Sequence, residues 1–215
     1  MQINSYLKYN AWKYFILLSS FYVITTFAIN YLFLSEGLYY QSYGEQLAAD
    51  RIAKMIELYK HLEWIGYIFI PIVVIIRVCF TAICIYIGCF LINIRVEFSK
   101  LFKVALLADF VFVLAGIVKL VILIFFRNVS TLSDLQFQPW SLLELFDNKS
   151  VDTFLIYPFT LISVFELLYW LALAWLLSVV IEKPFVNALK KVASSYGTGL
   201  LLWVLFVMFL TINLT

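Results

Sequence analysis

Charged side chains are scarce in this sequence: Asp, Glu, Lys and Arg make up 13% of its 215 residues, whereas a soluble domain has about 25%. Apolar residues make up 65% of the chain, and the mean hydropathy is +1.00. A globule of this size cannot bury so much apolar surface, so the soluble class is excluded. We therefore expect one compact helical bundle embedded in a bilayer.

The residues that most reactions need are also missing. The chain has one histidine, His61, in a polar segment. Cys79, Cys84 and Cys89 recur every five residues, so on a helix they do not share a ligand face, and their odd number argues against a disulfide framework. No Ser–His pair, paired aspartates, zinc ligands or phosphate-binding loop lies in the apolar segments. The sequence predicts no catalytic site, metal or cofactor, and a net charge of +2 without a basic run argues against nucleic acid.

Five apolar stretches are long enough to cross a hydrocarbon core, which takes about 20 helical residues. They cover 12–34, 64–94, 104–126, 154–181 and 196–214. The second is longer than one straight crossing and contains Pro71, so we expect it to tilt or kink. The predicted fold class is all-α, a polytopic bundle of five transmembrane helices. No cleavage site follows the first stretch, which is expected to remain as an anchor.

Lysine and arginine are distributed unevenly between the two sides of this bundle. One side carries eight in short, dense segments: Lys8, Lys13, Arg95, Lys100, Lys103, Lys183, Lys190 and Lys191. The other carries five on much longer loops: Arg51, Lys54, Lys60, Arg127 and Lys149. Short loops rich in positive charge face the cytoplasm, so the N-terminus is predicted inside and the C-terminus outside.

Both outer loops have patterns typical of helices. In the first, Ser42 and Glu45 have capping-box spacing, and apolar residues follow at helical intervals: Ala48, Ile52, Met55, Ile56 and Tyr59. An amphipathic helix over 42–62 on the membrane surface is the simplest interpretation. A helix stacked end to end with the second span is the alternative. In the second loop, Thr131 and Asp134 share the capping-box spacing, and one or two interfacial helices are expected over 131–147.

Four ionisable residues lie inside the predicted spans: Arg77, Asp109, Lys119 and Glu166. Two are basic and two acidic, so they can neutralise one another. By depth, Lys119 can reach Glu166, whereas Asp109 meets Arg77 only if the second helix tilts or kinks. Three side chains close to Glu166 in sequence could donate hydrogen bonds to it: Ser163, Tyr169 and Trp170. A structural charge network is favoured over a proton or substrate relay.

The second half of the chain resembles a known family. The segments that carry the likeness are "FSKLFKVALLADFVFVLAGIVKL", "SLLELFD", "PFTLISVFELLYWLALAWLL" and "VNALKKVASSYGTGLLLWVLF". Over roughly residues 60–215, their spacing and hydropathy resemble the bacterial branch of the Yip1-like family of small polytopic membrane proteins. The resemblance implies a five-helix fold. It also implies an adaptor-like role without catalytic residues, since the eukaryotic relatives are adaptors in vesicle traffic.

Two functions are compatible with these patterns. The first is a non-enzymatic accessory or scaffold subunit of the bacterial inner membrane that binds another membrane protein, in protein transport or envelope assembly. The expected partner surface is Trp140, Leu142, Leu143, Phe146, Tyr169 and Trp170. The alternative is a small permease, or an ion- or proton-coupled transporter, in which the four intramembrane charges line a polar path. An intramembrane enzyme is disfavoured because the required residues are missing.

Overall fold

The structure, a computed structural model, describes residues 10–146 and 151–214 of the chain. It therefore leaves Lys8 and Lys149 of the predicted charge distribution, and Asp147 of the second outer loop, outside the described residues. Within those ranges the regular structure is helical and no β-strand forms. The α-helices are α1 Ala11–Phe33, α2 Glu36–Tyr43, α3 Ala49–Leu91, α4 Phe98–Ala108, α5 Phe110–Phe125, α6 Thr153–Leu161, α7 Val164–Val180 and α8 Phe185–Leu214. Two short 3₁₀ helices, Leu132–Gln136 and Leu142–Leu145, lie between α5 and α6.

Four helical units in the described chain are long and apolar enough to cross a membrane: α1, α3, the α4–α5 unit Phe98–Phe125, and α8. The all-α class of a membrane protein is therefore confirmed. The α4–α5 unit is almost continuous, because Asp109 at its junction keeps right-handed helical dihedrals and its N–H bonds to the carbonyl of Ala105 at 3.0 Å. Apolar α7 is shorter, with 17 residues.

The first outer loop differs from the surface helix predicted over 42–62. α3 is one helix of 43 residues, about 65 Å long, so its first part extends beyond a hydrocarbon core of about 30 Å. The apolar positions Ile52 and Ile56 pack with Tyr39 of α2 in a small core of their own. The helix is continuous with the second span, as in the alternative interpretation. On its apolar face Ile52 and Ile56 are buried, whereas Met55 remains exposed.

The capping box predicted at Ser42 and Glu45 is wrong. Gly44 ends α2, and Ser42 lies in the last turn of that helix, where its hydroxyl donates to the carbonyl of Leu38 at 2.7 Å. The same hydroxyl accepts from the N–H of Leu132 at 2.8 Å, which ties the two outer loops together. The box predicted at Thr131 and Asp134 does form, and it starts the first 3₁₀ helix. The predicted interfacial helices of this loop are these two 3₁₀ helices.

The fourth predicted span, 154–181, is interrupted. α6 ends at Leu161, Ser163 is extended, and α7 begins at Val164. The outer loop supplies the backbone partners at the gap: the N–H of Leu142 donates to the carbonyl of Ile162 at 2.7 Å, and the N–H of Val164 donates to that of Trp140 at 3.2 Å. We call this contact the strap. The Ser163 hydroxyl accepts from the N–H of Glu166 at 3.2 Å and caps α7. Ser163 thus favours a new helix start over a continuous one.

Small residues let α8 lie close to α3 and α7. A Cβ added at Gly88 of α3 would collide with the side chain of Ser195, and one at Gly199 would collide with Sγ of Cys84. One at Gly197 would come within 2.7 Å of the Trp170 ring. Small residues allow such close backbone approach in membrane bundles, where dispersion and hydrogen bonds drive helix association.

A leucine at Gly88 should therefore destabilise the bundle. Displacing Ser195 and α8 is an overpacking change, worth about 1–3 kcal/mol of unfolding free energy. The matched control is Gly66→Leu in the same helix, because a Cβ at Gly66 meets no atom within 4 Å. The measurement is unfolding in mixed micelles followed by circular dichroism. Equal losses in the two variants would contradict the proposed close contact between α3 and α8.

Candidate functional site

Arg77 and Asp109 form an ion pair between α3 and the α4–α5 junction. Nη2 of Arg77 lies 2.5 Å from Oδ2 of Asp109, and the Asp109 side chain has no exposed surface. Tyr22 of α1 completes the cluster: its hydroxyl accepts from Arg77 Nη2 at 2.6 Å and donates to Asp109 Oδ2 at 3.2 Å. Three helical units are thus joined by one charged contact, and Arg77 keeps its charge balanced inside the bundle.

Aromatic rings enclose this ion pair. The guanidinium carbon of Arg77 lies 4.7 Å from the ring centroid of Phe112 and 5.3 Å from that of Tyr22. Such cation–π contacts are strengthened where water is excluded. Within the described chain Nε of Arg77 has no hydrogen-bond partner, so the guanidinium keeps donor capacity that Asp109 does not use.

Glu166 lies in the first turn of α7, directly after the interruption. It is 8% exposed. Its Oε1 accepts from Nε1 of Trp170 at 2.9 Å and from the hydroxyl of Tyr196 at 3.0 Å. The start of a helix favours a negative charge, because unpaired N–H groups and the helix dipole point toward it. Among the described lysines and arginines, none forms an ion pair with Glu166.

The predicted pair between Lys119 and Glu166 does not form. Nζ of Lys119 lies 5.7 Å from the ring centroid of Phe137, a residue of the second outer loop. That loop packs down onto α5 and covers Lys119 with an aromatic face. Glu166 instead takes its hydrogen bonds from Trp170 and Tyr196. The four charges expected to act as one network are therefore divided: Arg77 pairs with Asp109, and Lys119 and Glu166 are held separately.

Tyr169 connects the two buried clusters. Its side chain is fully buried, and its hydroxyl donates to Thr81 Oγ1 of α3 at 2.9 Å. Its ring centroid lies 4.8 Å from that of Phe112, beside Arg77, and 5.6 Å from that of Tyr196, beside Glu166. Sequence spacing placed Tyr169 near Glu166, but the hydroxyl points to Thr81 instead.

The expected partner surface is only partly exposed. Tyr169 and Leu143 are buried, so they do not belong to a surface, and Leu142 and Trp170 are half-buried. Trp140 is 55% exposed although its ring stacks on Phe165, and Phe146 is 48% exposed. Helical periodicity alone could not tell which side of α7 faces α3 and α8.

A cavity of about 400 Å³ lies beside Glu166, where α6 gives way to α7. Arg77 and Tyr196 line it together with Glu166. The remaining lining residues are Val73, Ile76, Phe80, Phe112, Gln138, Tyr157, Thr160, Leu161, Ser163, Leu200 and Trp203. This mixture of apolar walls and a few convergent polar groups is typical of small-molecule sites. We call it the α7 cavity.

The residues of the ion-pair cluster and of the cavity show which functional positions could be predicted from the sequence. Glu166 and Arg77 were identified as charges in apolar runs. Tyr22 and Tyr196 were missed, because hydroxyl-bearing aromatics in a predicted span carry no distinct signal. Within the described residues no group of three His, Cys, Asp or Glu is placed to hold a metal ion.

Comparison with known proteins adds no relative. No protein-family model matches the chain, and neither a curated protein nor a solved structure matches it.

The Arg77–Asp109 pair should behave as a buried, mutually dependent contact. Arg77→Met leaves a buried carboxylate without its cation and should lower the unfolding free energy by about 3–5 kcal/mol. Adding Asp109→Asn removes that charge and should recover part of the loss. Both values come from unfolding in mixed micelles.

The control for this cycle is Lys60→Met. Lys60 pairs with Glu36 at 2.5 Å, but both side chains are more than 60% exposed, and exposed pairs contribute little. A double variant no more stable than Arg77→Met alone would show that the pair is not what stabilises the junction.

Proposed function

We propose that the chain crosses the membrane five times and that α6 and α7 together form the fourth crossing. Two contacts along α8 support this arrangement: Tyr196 meets Glu166 at 3.0 Å, and Trp203 Nε1 donates to the Tyr157 hydroxyl at 2.9 Å. From 196 to 203 the chain rises about 10 Å along α8. Over that distance the helix that contacts α8 changes from α7 to α6. The two short helices therefore lie one after the other along the 30-residue α8.

We propose the orientation that the lysine and arginine distribution favours, with the N-terminus inside and the C-terminus outside a bacterial inner membrane. In this orientation the loop carrying the strap lies on the outer side and reaches down to the gap in the fourth crossing. Membership of the Yip1-like family stays a prediction from the spacing of the second half.

We propose that the protein is a non-enzymatic small permease that holds its substrate in the α7 cavity. The observation that carries this is the coincidence of three features: an interrupted helix, a cavity at the interruption, and a buried carboxylate on its wall. Transporters commonly place their substrate sites at discontinuous membrane helices. An ionisable side chain inside the membrane is by default a candidate functional residue, and Glu166 has no ion-pair partner in the described chain.

The division of the charges also favours a ligand site over the purely structural network. Arg77, Asp109 and Tyr22 contact one another and hold α1, α3 and the α4–α5 unit together. Glu166 adds no ion pair to the packing of the described helices. Glu166 accepts a hydrogen bond from Tyr196 of α8, and we infer that its charge serves a ligand that enters the cavity.

An accessory subunit that binds another membrane protein is the second candidate. Its support is the outer loop, where Trp140 and Phe146 remain exposed and Leu145 is 79% exposed. The strap fixes this segment to α7, so a partner would meet a preformed apolar surface.

A tryptophan that fills the cavity should remove transport. Leu200 lines the cavity, whereas Leu202, two residues along α8, is 63% exposed on its outside. We expect Leu200→Trp to abolish, and Leu202→Trp to preserve, the uptake of at least one compound. Uptake is measured in proteoliposomes with a panel of radiolabelled ammonium, carboxylate and neutral aromatic compounds.

The opposite result would favour the accessory role. It would consist of no uptake of any panel compound, together with one membrane protein that copurifies reproducibly in mild detergent and is lost in a Leu145→Asp variant. Wild-type uptake that Leu200→Trp leaves unchanged would place the transport path elsewhere.

A further inference from the structure

The charge on the wall of the α7 cavity is unbalanced. Arg77 and Glu166 line the cavity, and Asp109, which does not line it, is the ion-pair partner of Arg77. Arg77 and Asp109 cancel each other at 2.5 Å. The hydrogen bonds to Glu166 come from neutral donors, an indole N–H and a phenol. In the part of the chain that the structure describes, no cation balances Glu166, so a ligand that balances it would carry a positive charge.

The cavity walls suit an organic cation. Five aromatic side chains line the cavity: Phe80, Phe112, Tyr157, Tyr196 and Trp203. Aromatic faces attract cations electrostatically, most strongly where water is excluded. A hydrated metal cation would gain little from such walls, whereas a cation with an apolar body gains both ring contacts and apolar burial.

The cavity also opens toward lipid. Val73 and Ile76 of α3 line it and are 57% and 61% exposed, and Trp203 of α8 lines it and is 45% exposed. These residues lie within two helices that are long enough to span the membrane, so their exposed surface faces the hydrocarbon. A ligand dissolved in the bilayer could then enter from the side without crossing the outer loop.

We propose that the α7 cavity binds lipophilic organic cations, with the positive charge beside Glu166 and the apolar body against the aromatic walls. This inference rests on the proposed function, because it names the substrate class of the same cavity. The carboxylate of Asp109 offsets the charge of Arg77 and so reduces the repulsion between Arg77 and such a ligand.

Two ions of matched shape and opposite charge test the proposal. Tetraphenylphosphonium and tetraphenylborate have the same four-ring body, so their difference reports the sign of charge that the cavity accepts. Equilibrium binding is measured with the full chain in nanodiscs of zwitterionic lipid, and binding to empty nanodiscs is subtracted. We expect the phosphonium ion to bind at least tenfold more tightly than the borate.

One isosteric variant assigns that preference to Glu166. Glu166→Gln keeps an oxygen that can accept from Trp170 and Tyr196, so the fold should persist while the charge is lost. Phosphonium binding should weaken at least tenfold, and Glu36→Gln, outside the cavity, should leave it unchanged. If Glu166→Gln does not fold, Phe80→Leu removes one aromatic wall and should weaken phosphonium binding severalfold.

Equal binding of the two ions, tighter binding of the borate, or binding of neither would overturn the cation assignment. Phosphonium binding that Glu166→Gln leaves unchanged and Leu200→Trp removes would also overturn it. That result would show binding in the cavity without a contribution from the charge of Glu166. The proposed permease role is judged separately, by uptake of the carboxylate and neutral compounds and its loss in Leu200→Trp.

Discussion

The strap between the outer loop and the gap in the fourth predicted span is the contact on which the rest of the site depends. A hydrocarbon core offers no water to an exposed N–H or carbonyl group, so an interrupted helix persists there only if protein supplies the partners. Trp140 and Leu142 supply them to Val164 and Ile162. Glu144 stabilises the position of Trp140 within the strap, because its Oε2 accepts from the N–H of Trp140 at 2.8 Å.

The interruption has two consequences for chemistry. It starts a new helix at Val164, two residues before Glu166, so the carboxylate lies where helix N–H groups and the dipole favour a negative charge. It also marks the place of the α7 cavity, because Leu161 before the break and Ser163 after it both line the cavity.

The buried ions divide between packing and binding. Arg77 and Asp109 share Tyr22 as a third partner and join three helical units, which is the behaviour of a structural pair. Lys119 is covered by the ring of Phe137 and helps to place the outer loop. In the described chain the carboxylate of Glu166 accepts its hydrogen bonds from neutral donors and forms no ion pair. Our functional proposals follow from this difference in partners, since the four residues are equally unusual in sequence.

Local patterns in the sequence predicted what depends on neighbouring residues. Composition and the long apolar stretches were enough to predict an all-α membrane protein, because a soluble domain cannot bury 65% apolar residues. The capping box at Thr131 and Asp134 was found because it needs only two residues three apart. A spacing of four residues, one turn of a helix, likewise puts Trp170 beside Glu166. Ser42 and Glu45 have that spacing too, yet Gly44 ends a helix there.

What the sequence alone determined is therefore membrane residence, the approximate places of the apolar helices and the identity of the four charged residues within them. The tertiary structure decided which charges meet, because Tyr22 lies 87 residues from Asp109 and Tyr196 lies 30 residues from Glu166. It also decided that the fourth span is broken at Ser163. The hydrogen bonds that stabilise this break come from a distant loop, so the sequence around Ser163 could not predict them.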